Sequence, residues 1–153
     1  EVVMLDGFFL ACKKDFIEPI LFDGNLKGFH AYDADICFRS KYYGGTNIVI
    51  YDILINHHSH GTPNRQWVEC TKAVFQKWNH IFPIYVGDEK LDILEVEKRM
   101  LKRFMRKMIK FGYSYSEVVN DAYISVLWGE LYRNPMSSLK LWVLYYCLFK
   151  KVL

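Results

Sequence analysis

The sequence predicts an α+β chain in two unlike parts: short strands mixed with helices over residues 1–87, then a helical bundle over 88–153. Three observations predict it. Ile/Val-rich stretches bounded by Gly, Asp and Pro fall only in the first part. Apolar residues at helical spacing dominate the second. Pro83 and Gly87 punctuate the junction.

Element by element, Val2 to Leu5 and Phe8 to Cys12 read as short strands with Asp6-Gly7 as the bend between them. Asp15 to Glu18 reads as a helical turn that Pro19 ends, and residues 22–28 carry loop chemistry. A helix runs from about Tyr32 to Tyr43, stopped by Gly44-Gly45. Asn47 to Ile55 reads as a buried strand, with a loop from His57 to Asn64 at its end. Pro63 suits the first turn of a helix that carries Trp67, Cys70, Val74, Phe75 and Trp78. The aromatic residues of that helix read as core. A second long helix fits Leu91 to Phe111, with Leu94, Leu101, Phe104, Met105, Met108 and Ile109 on one side and Gly112 past its end. A third runs from Ser116 to about Tyr132, broken by Asn134-Pro135, and a fourth covers Met136 to about Val152.

The chain has 153 residues, 52% of them hydrophobic, enough for a substantial core and against disorder. It begins without Met, which suggests a processed chain or a fragment, and its first residues lack the basic stretch followed by an apolar run of a signal peptide. Its formal charge of +3 is too small to argue for nucleic acid as a partner. The four cysteines form no CxxC pair and read as free thiols of a reducing, cytoplasmic compartment. The longest apolar run, Leu141 to Phe149, is shorter than the roughly 20 residues a bilayer span needs. Lys98, Arg99, Lys102, Arg103, Arg106, Lys107 and Lys110 crowd one helix. That helix reads either as a solvated basic face or as a peripheral contact at the inner membrane, near a lipid-linked acceptor. The apolar stripe opposite those bases packs on neighbouring helices, and a homo-oligomer would give the Leu141 to Phe149 run an interface to fill.

The densest polar chemistry lies in Gly28 to Arg39 and His57 to Gly61. Asp33 sits at a helix start, where it can cap the helix or serve as a base; the two roles are compatible. The helix dipole there stabilises the carboxylate, so an effective base needs partial burial or an acceptor contact. Asp35 lies on a different helical face, and Arg39, four residues later, is spaced to pair with it and steady the helix. Asp6-Gly7 reads as a turn where backbone can approach a ligand, or as an ordinary bend. His30 precedes the helix and reads as a ligand contact or a plain loop residue. His57 and His58 stand at a strand end, where neighbouring residues point to opposite faces, so at most one of them faces a site. A neutral imidazole there suits a Mn²⁺-like ion.

Asp6-Gly7-Phe8-Phe9, Phe22-Asp23, Phe29-His30-x-Tyr32-Asp33-x-Asp35-x-Cys37-x-Arg39, Asp52-Ile53, His57-His58-Ser59-x-Gly61, Trp67 and Phe75-x-Lys77-Trp78 resemble, in order and spacing, the catalytic C-terminal half of family-two glycosyltransferases over residues 1 to about 80. The resemblance implies a partial GT-A-type half-domain with a helical extension, a bacterial enzyme of polysaccharide assembly. It implies inverting transfer from a nucleotide-sugar donor to a glycan or lipid-linked acceptor. In that picture Asp33 is the base, with Tyr32 in place of a more usual first acid. Asp6, Gly7, His30, Tyr32 and Arg39 contact substrate. His57 or His58, His57 by alignment, joins the site of a divalent cation (Mn or Mg). The family's nucleotide-binding half, with its Asp-x-Asp metal motif, is not seen ahead of Glu1, so the cation is expected not to bind without it. A non-catalytic glycan- or protein-binding module derived from such an enzyme is the alternative. A small metal-dependent hydrolase using Asp33 with His57 or His58 is a third reading.

Overall fold

The structure is a computed structural model that describes residues 1–128 apart from 19, 59–60 and 88–91. It is helical. The elements are α1 (Lys14–Ile17), α2 (Tyr32–Tyr42), α3 (Arg65–Trp78) followed by a 3-10 turn (Asn79–Ile81), α4 (Ile93–Lys110) and α5 (Tyr115–Trp128). The chain divides into two compact units, Glu1–Asp88 and Glu89–Leu153.

The expected α+β half-domain is not what forms. Among the described residues the β structure is a single antiparallel bridge between Val2 and Asn47, closed by the Val2 N–H donating to the Asn47 carbonyl at 2.9 Å. The segments expected as strands, residues 2–5, 8–12 and 47–55, build no sheet. The reason is visible in where their backbone groups go. The Leu5 N–H donates to Cys37 Sγ at 3.3 Å, and the Val3 carbonyl accepts from Asn47 Nδ2 at 2.8 Å. Side chains of α2 and of Asn47 thus satisfy the groups that a ladder would have used. Asn47 itself is buried and also donates to the Cys37 carbonyl at 3.2 Å. Beyond it the apolar run from Ile48 to Ile55 is exposed rather than buried, with Tyr51 91% and Leu54 99% accessible. High β-propensity makes no strand where no neighbour lies alongside.

The helices follow local rules more closely. α2 ends where Gly44, at φ +80°, admits the left-handed turn, and the Gly45 N–H reaches back to the Ser40 carbonyl at 2.8 Å. A Cβ on Gly45 would collide with Phe16 and Ser40 Oγ, so glycine also lets α1 lie close to α2. Ile36 and Cys37 of α2 pack with Ile20, and Leu5, Leu10, Phe16 and Ile17 close around them. In α3 the cap is Asn64, whose Oδ1 accepts the Trp67 N–H at 3.0 Å; Pro63 therefore precedes the helix instead of opening its first turn. Val68, Cys70, Val74 and Trp78 form the buried stripe of α3.

In the second unit Asp92 caps α4 by accepting the Glu95 N–H at 3.1 Å. Leu101, Met105 and Met108 are buried, at helical spacing; Phe104 and Ile109 are half-buried. Leu94, expected on the same stripe, lies outside the described side chains. Gly112, at φ +78°, turns the chain into α5. Ser114 and Glu117 form a reciprocal capping box: Glu117 Oε2 accepts the Ser114 N–H at 2.7 Å, and Ser114 Oγ accepts the Glu117 N–H at 3.3 Å. The helix start therefore falls a residue earlier than expected. The end expected near Tyr132, the helix expected over 136–152 and the apolar run 141–149 lie outside the described residues.

Candidate functional site

Two polar assemblies share α2 and do opposite things. On the exposed side, the first residues of α2 grip the Asp6-Gly7 turn. The Gly7 N–H donates to Asp33 Oδ2 at 3.2 Å, and the Tyr32 hydroxyl donates to the Gly7 carbonyl at 3.1 Å. Both backbone groups of Gly7 are thereby engaged across 25 and 26 residues of sequence. A Cβ on Gly7 would run into the Tyr32 ring, which is why this turn carries glycine. Asp33 Oδ1 accepts the Ala34 N–H at 2.8 Å, but Asp33 lies inside α2 and the N-cap position is Ala31, which makes no side-chain cap bond, so the expected Asp33 cap does not form. Each carboxylate oxygen holds one backbone N–H and keeps a lone pair for a further donor. Asp6 Oδ1 accepts the Phe8 N–H at 2.9 Å and completes the turn.

Ala31, directly before the gripping pair, sits at φ +62°, in the left-handed region, although it carries a Cβ. Such a residue costs roughly 1–3 kcal/mol and persists where its surroundings over-determine it. Here the Ala31 carbonyl accepts the Asp35 N–H, and Tyr32 and Asp33 are anchored on Gly7. Burial, then the charges of Asp33 and Asp6, push the Tyr32 phenol up, so it stays a donor.

Aromatic rings surround this face. Phe22 meets Tyr32 edge-on at 6.0 Å, and Phe29 lies tilted against Tyr32 at 5.6 Å. Phe29 is 81% accessible. Phe8, next to Gly7, stacks on the His57 ring at 4.0 Å. His57 is thus brought to the turn, by an aromatic stack rather than a strand end; His58 is exposed and His30 half-buried. Because no strand ends here, the expected alternation of the two histidines does not apply.

On the inner side, Asp35 is 1% accessible. Its Oδ1 accepts from Trp78 Nε1 and Lys77 Nζ, both at 2.7 Å, and its Oδ2 faces Arg39 Nη2 at 3.4 Å. Lys77 also reaches Asp23 at 2.5 Å, and Arg39 lies 3.8 Å from the same carboxylate. Arg39 Nη1 donates to the carbonyls of Ile20 at 3.2 Å and Leu21 at 2.8 Å. Two acids and two bases balance each other while tying α2, α3 and the loop before Asn25 together. The hydrogen bond from Lys77, then the Asn25 N–H, hold Asp23 down at about 2. The spacing of Asp35 and Arg39 announced their pair. It gave no hint that Lys77 and Asp23 complete it, since they are 54 residues apart. Arg39 is therefore committed to the scaffold and stands apart from Asp33, Gly7 and Tyr32 in role.

Among the described residues no three His, Cys, Asp or Glu side chains come together as a metal would require. His57 is stacked on Phe8, and the acids nearest the turn hold backbone N–H groups. The chemistry of this face is that of a carboxylate oriented by two backbone N–H groups, with Tyr32 beside it in sequence carrying the ring contacts. No described helix is long and apolar enough to cross a membrane.

The chain is similar to a protein of Fuscovulum blasticum designated ATP synthase subunits region ORF 6, with 28% identity over 83 residues, covering 54% of this chain and 32% of that protein. The aligned part is about one third of that relative's length. No family model matches, and no solved structure matches.

Proposed function

We propose that the face built from Asp6, Gly7, Tyr32 and Asp33 binds a sugar, and that Asp33 serves as the base for an acceptor hydroxyl in glycosyl transfer from a nucleotide-sugar. The observation that carries this reading is the Asp33 carboxylate, fixed by two backbone N–H groups next in sequence to Tyr32, whose ring meets the exposed Phe22 and Phe29. Rings stack on the apolar face of a pyranose while a carboxylate accepts from its hydroxyls. In the transfer, the acceptor O–H gives its proton to Asp33, the oxygen bonds to the anomeric carbon, and the bond from that carbon to the diphosphate oxygen breaks. Holding the diphosphate needs positive charge. Arg39 and Lys77 are consumed by Asp23 and Asp35, so this face supplies the acceptor side of such a site.

The test is Asp33→Asn in the longest natural polypeptide that carries this segment. Transfer to glycan or lipid-linked acceptors is expected to vanish, while saturation transfer from the protein to a panel of methyl glycosides persists in NMR. Undiminished turnover would overturn the role of Asp33. The exposed run from Ile48 to Ile55 favours a second reading, a non-catalytic module that binds a partner chain. Absence of saturation transfer to every glycoside in the panel would decide for that reading.

A further inference from the structure

The second unit carries a feature that sugar transfer does not use. Arg99, Arg103, Arg106 and Lys110 recur at i, i+4, i+7 and i+11 of α4, which sets them in one stripe along the helix. The stripe is about 16 Å long at the α-helical rise. All four are exposed, and among the described residues none of them makes an ion pair. The nearby acid at the helix start, Glu95, is spent on Lys98 at 2.6 Å. Leu101, Met105 and Met108 are buried on the opposite side of the same helix, which packs on α5, so the stripe is turned away from the core of its unit. Lys107 flanks it, and burial, then the charges of Arg103 and Lys110, hold that amine below its ordinary value. Met100, 59% accessible, stands exposed beside the stripe.

We infer that the basic stripe of α4 docks on the anionic headgroup surface of a lipid bilayer. A straight row of cations matches a planar sheet of negative charge, and each one near such a surface adds to the attraction. An exposed apolar side chain on the flank suits the headgroup boundary. It offers nothing to a phosphodiester backbone, and the stripe has no aromatic residue on which a base could stack. The inference is independent of the sugar-binding face, which lies in the first unit.

The experiment is co-sedimentation of the whole chain with phosphatidylcholine vesicles, with and without phosphatidylglycerol. Binding is expected only where phosphatidylglycerol is present, falling steeply as salt is added. Each neutralised cation lowers the partition coefficient by about five-fold, so Arg103→Gln with Arg106→Gln lowers it about thirty-fold. Removing Arg99 and Lys110 instead gives a second pair with the same expectation, and circular dichroism checks that both pairs keep their helix. Lys13→Gln with Lys14→Gln removes the same net charge from the first unit and leaves binding unchanged. Equal loss in that control, binding to neutral vesicles, no binding at low salt, or displacement of the chain from vesicles by duplex DNA would each overturn the inference.

Discussion

Replacing Asp35 tests the inner network most directly, because its carboxylate is buried and serves three partners at once. Asp35→Asn keeps an oxygen for Trp78 Nε1 but removes the charge facing Lys77 and Arg39. A hydrogen bond to a charged group contributes about 1.5–3 kcal/mol, so a loss of about 2 kcal/mol is expected. Asp35→Ala also strands the Trp78 N–H, whose desolvation costs about 1–3 kcal/mol more. The sum, about 4 kcal/mol, sits in the range for breaking a buried ion pair from one side. Urea unfolding followed by tryptophan fluorescence measures both. A background of Trp128→Phe and Trp142→Phe confines the signal to Trp67 and Trp78 of the first unit. An Ala variant that loses less than about 1 kcal/mol, or an Asn variant as damaged as Ala, would refute the assignment of these partners.

The same network sets an acid response. Asp23 is held at about 2 against an ordinary 3.8, so its folded form binds a proton less readily than its unfolded form. The stabilisation, about 2 kcal/mol, is complete above about pH 4 and is lost as pH falls toward 2. Acid titration of stability in Asp23→Asn should flatten in that window, and an unchanged profile would show that Lys77 does not hold Asp23. At the outer face, Gly7→Ala should cost about 1–3 kcal/mol by driving a Cβ into the Tyr32 ring. Tyr32→Ala in the same chain removes the collision. A double-mutant cycle reads the coupling, and additive losses would mean that the two residues do not touch.

Where a helix begins and ends was legible along the chain, because caps and stops act over three or four residues. Gly44 past α2 and Gly112 past α4 are of this kind, while the caps Asp92 and Ser114 place the starts of α4 and α5 a residue or two away from the expected Leu91 and Ser116. The strands were not. Val2 to Leu5, Phe8 to Cys12 and Asn47 to Ile55 have the composition of strands, but a strand exists only where another lies beside it. In this structure side chains of α2 and Asn47 take the backbone groups of residues 3 to 7, and Ile48 to Ile55 is left uncovered.

The candidate site divides the same way. The sequence alone placed Asp33 at the head of a helix beside Tyr32, spaced Asp35 to meet Arg39, and set Asp6-Gly7 in a turn. Only the tertiary structure closed that turn onto α2, with both backbone groups of Gly7 held by Tyr32 and Asp33. It also separated the two acids, setting Asp33 on the Gly7 turn and Asp35 inward on Lys77 and Trp78. Local spacing can set the face a residue occupies, since that follows from helical geometry. The partner waiting on that face comes from chain tens of residues away, and packing alone brings it there.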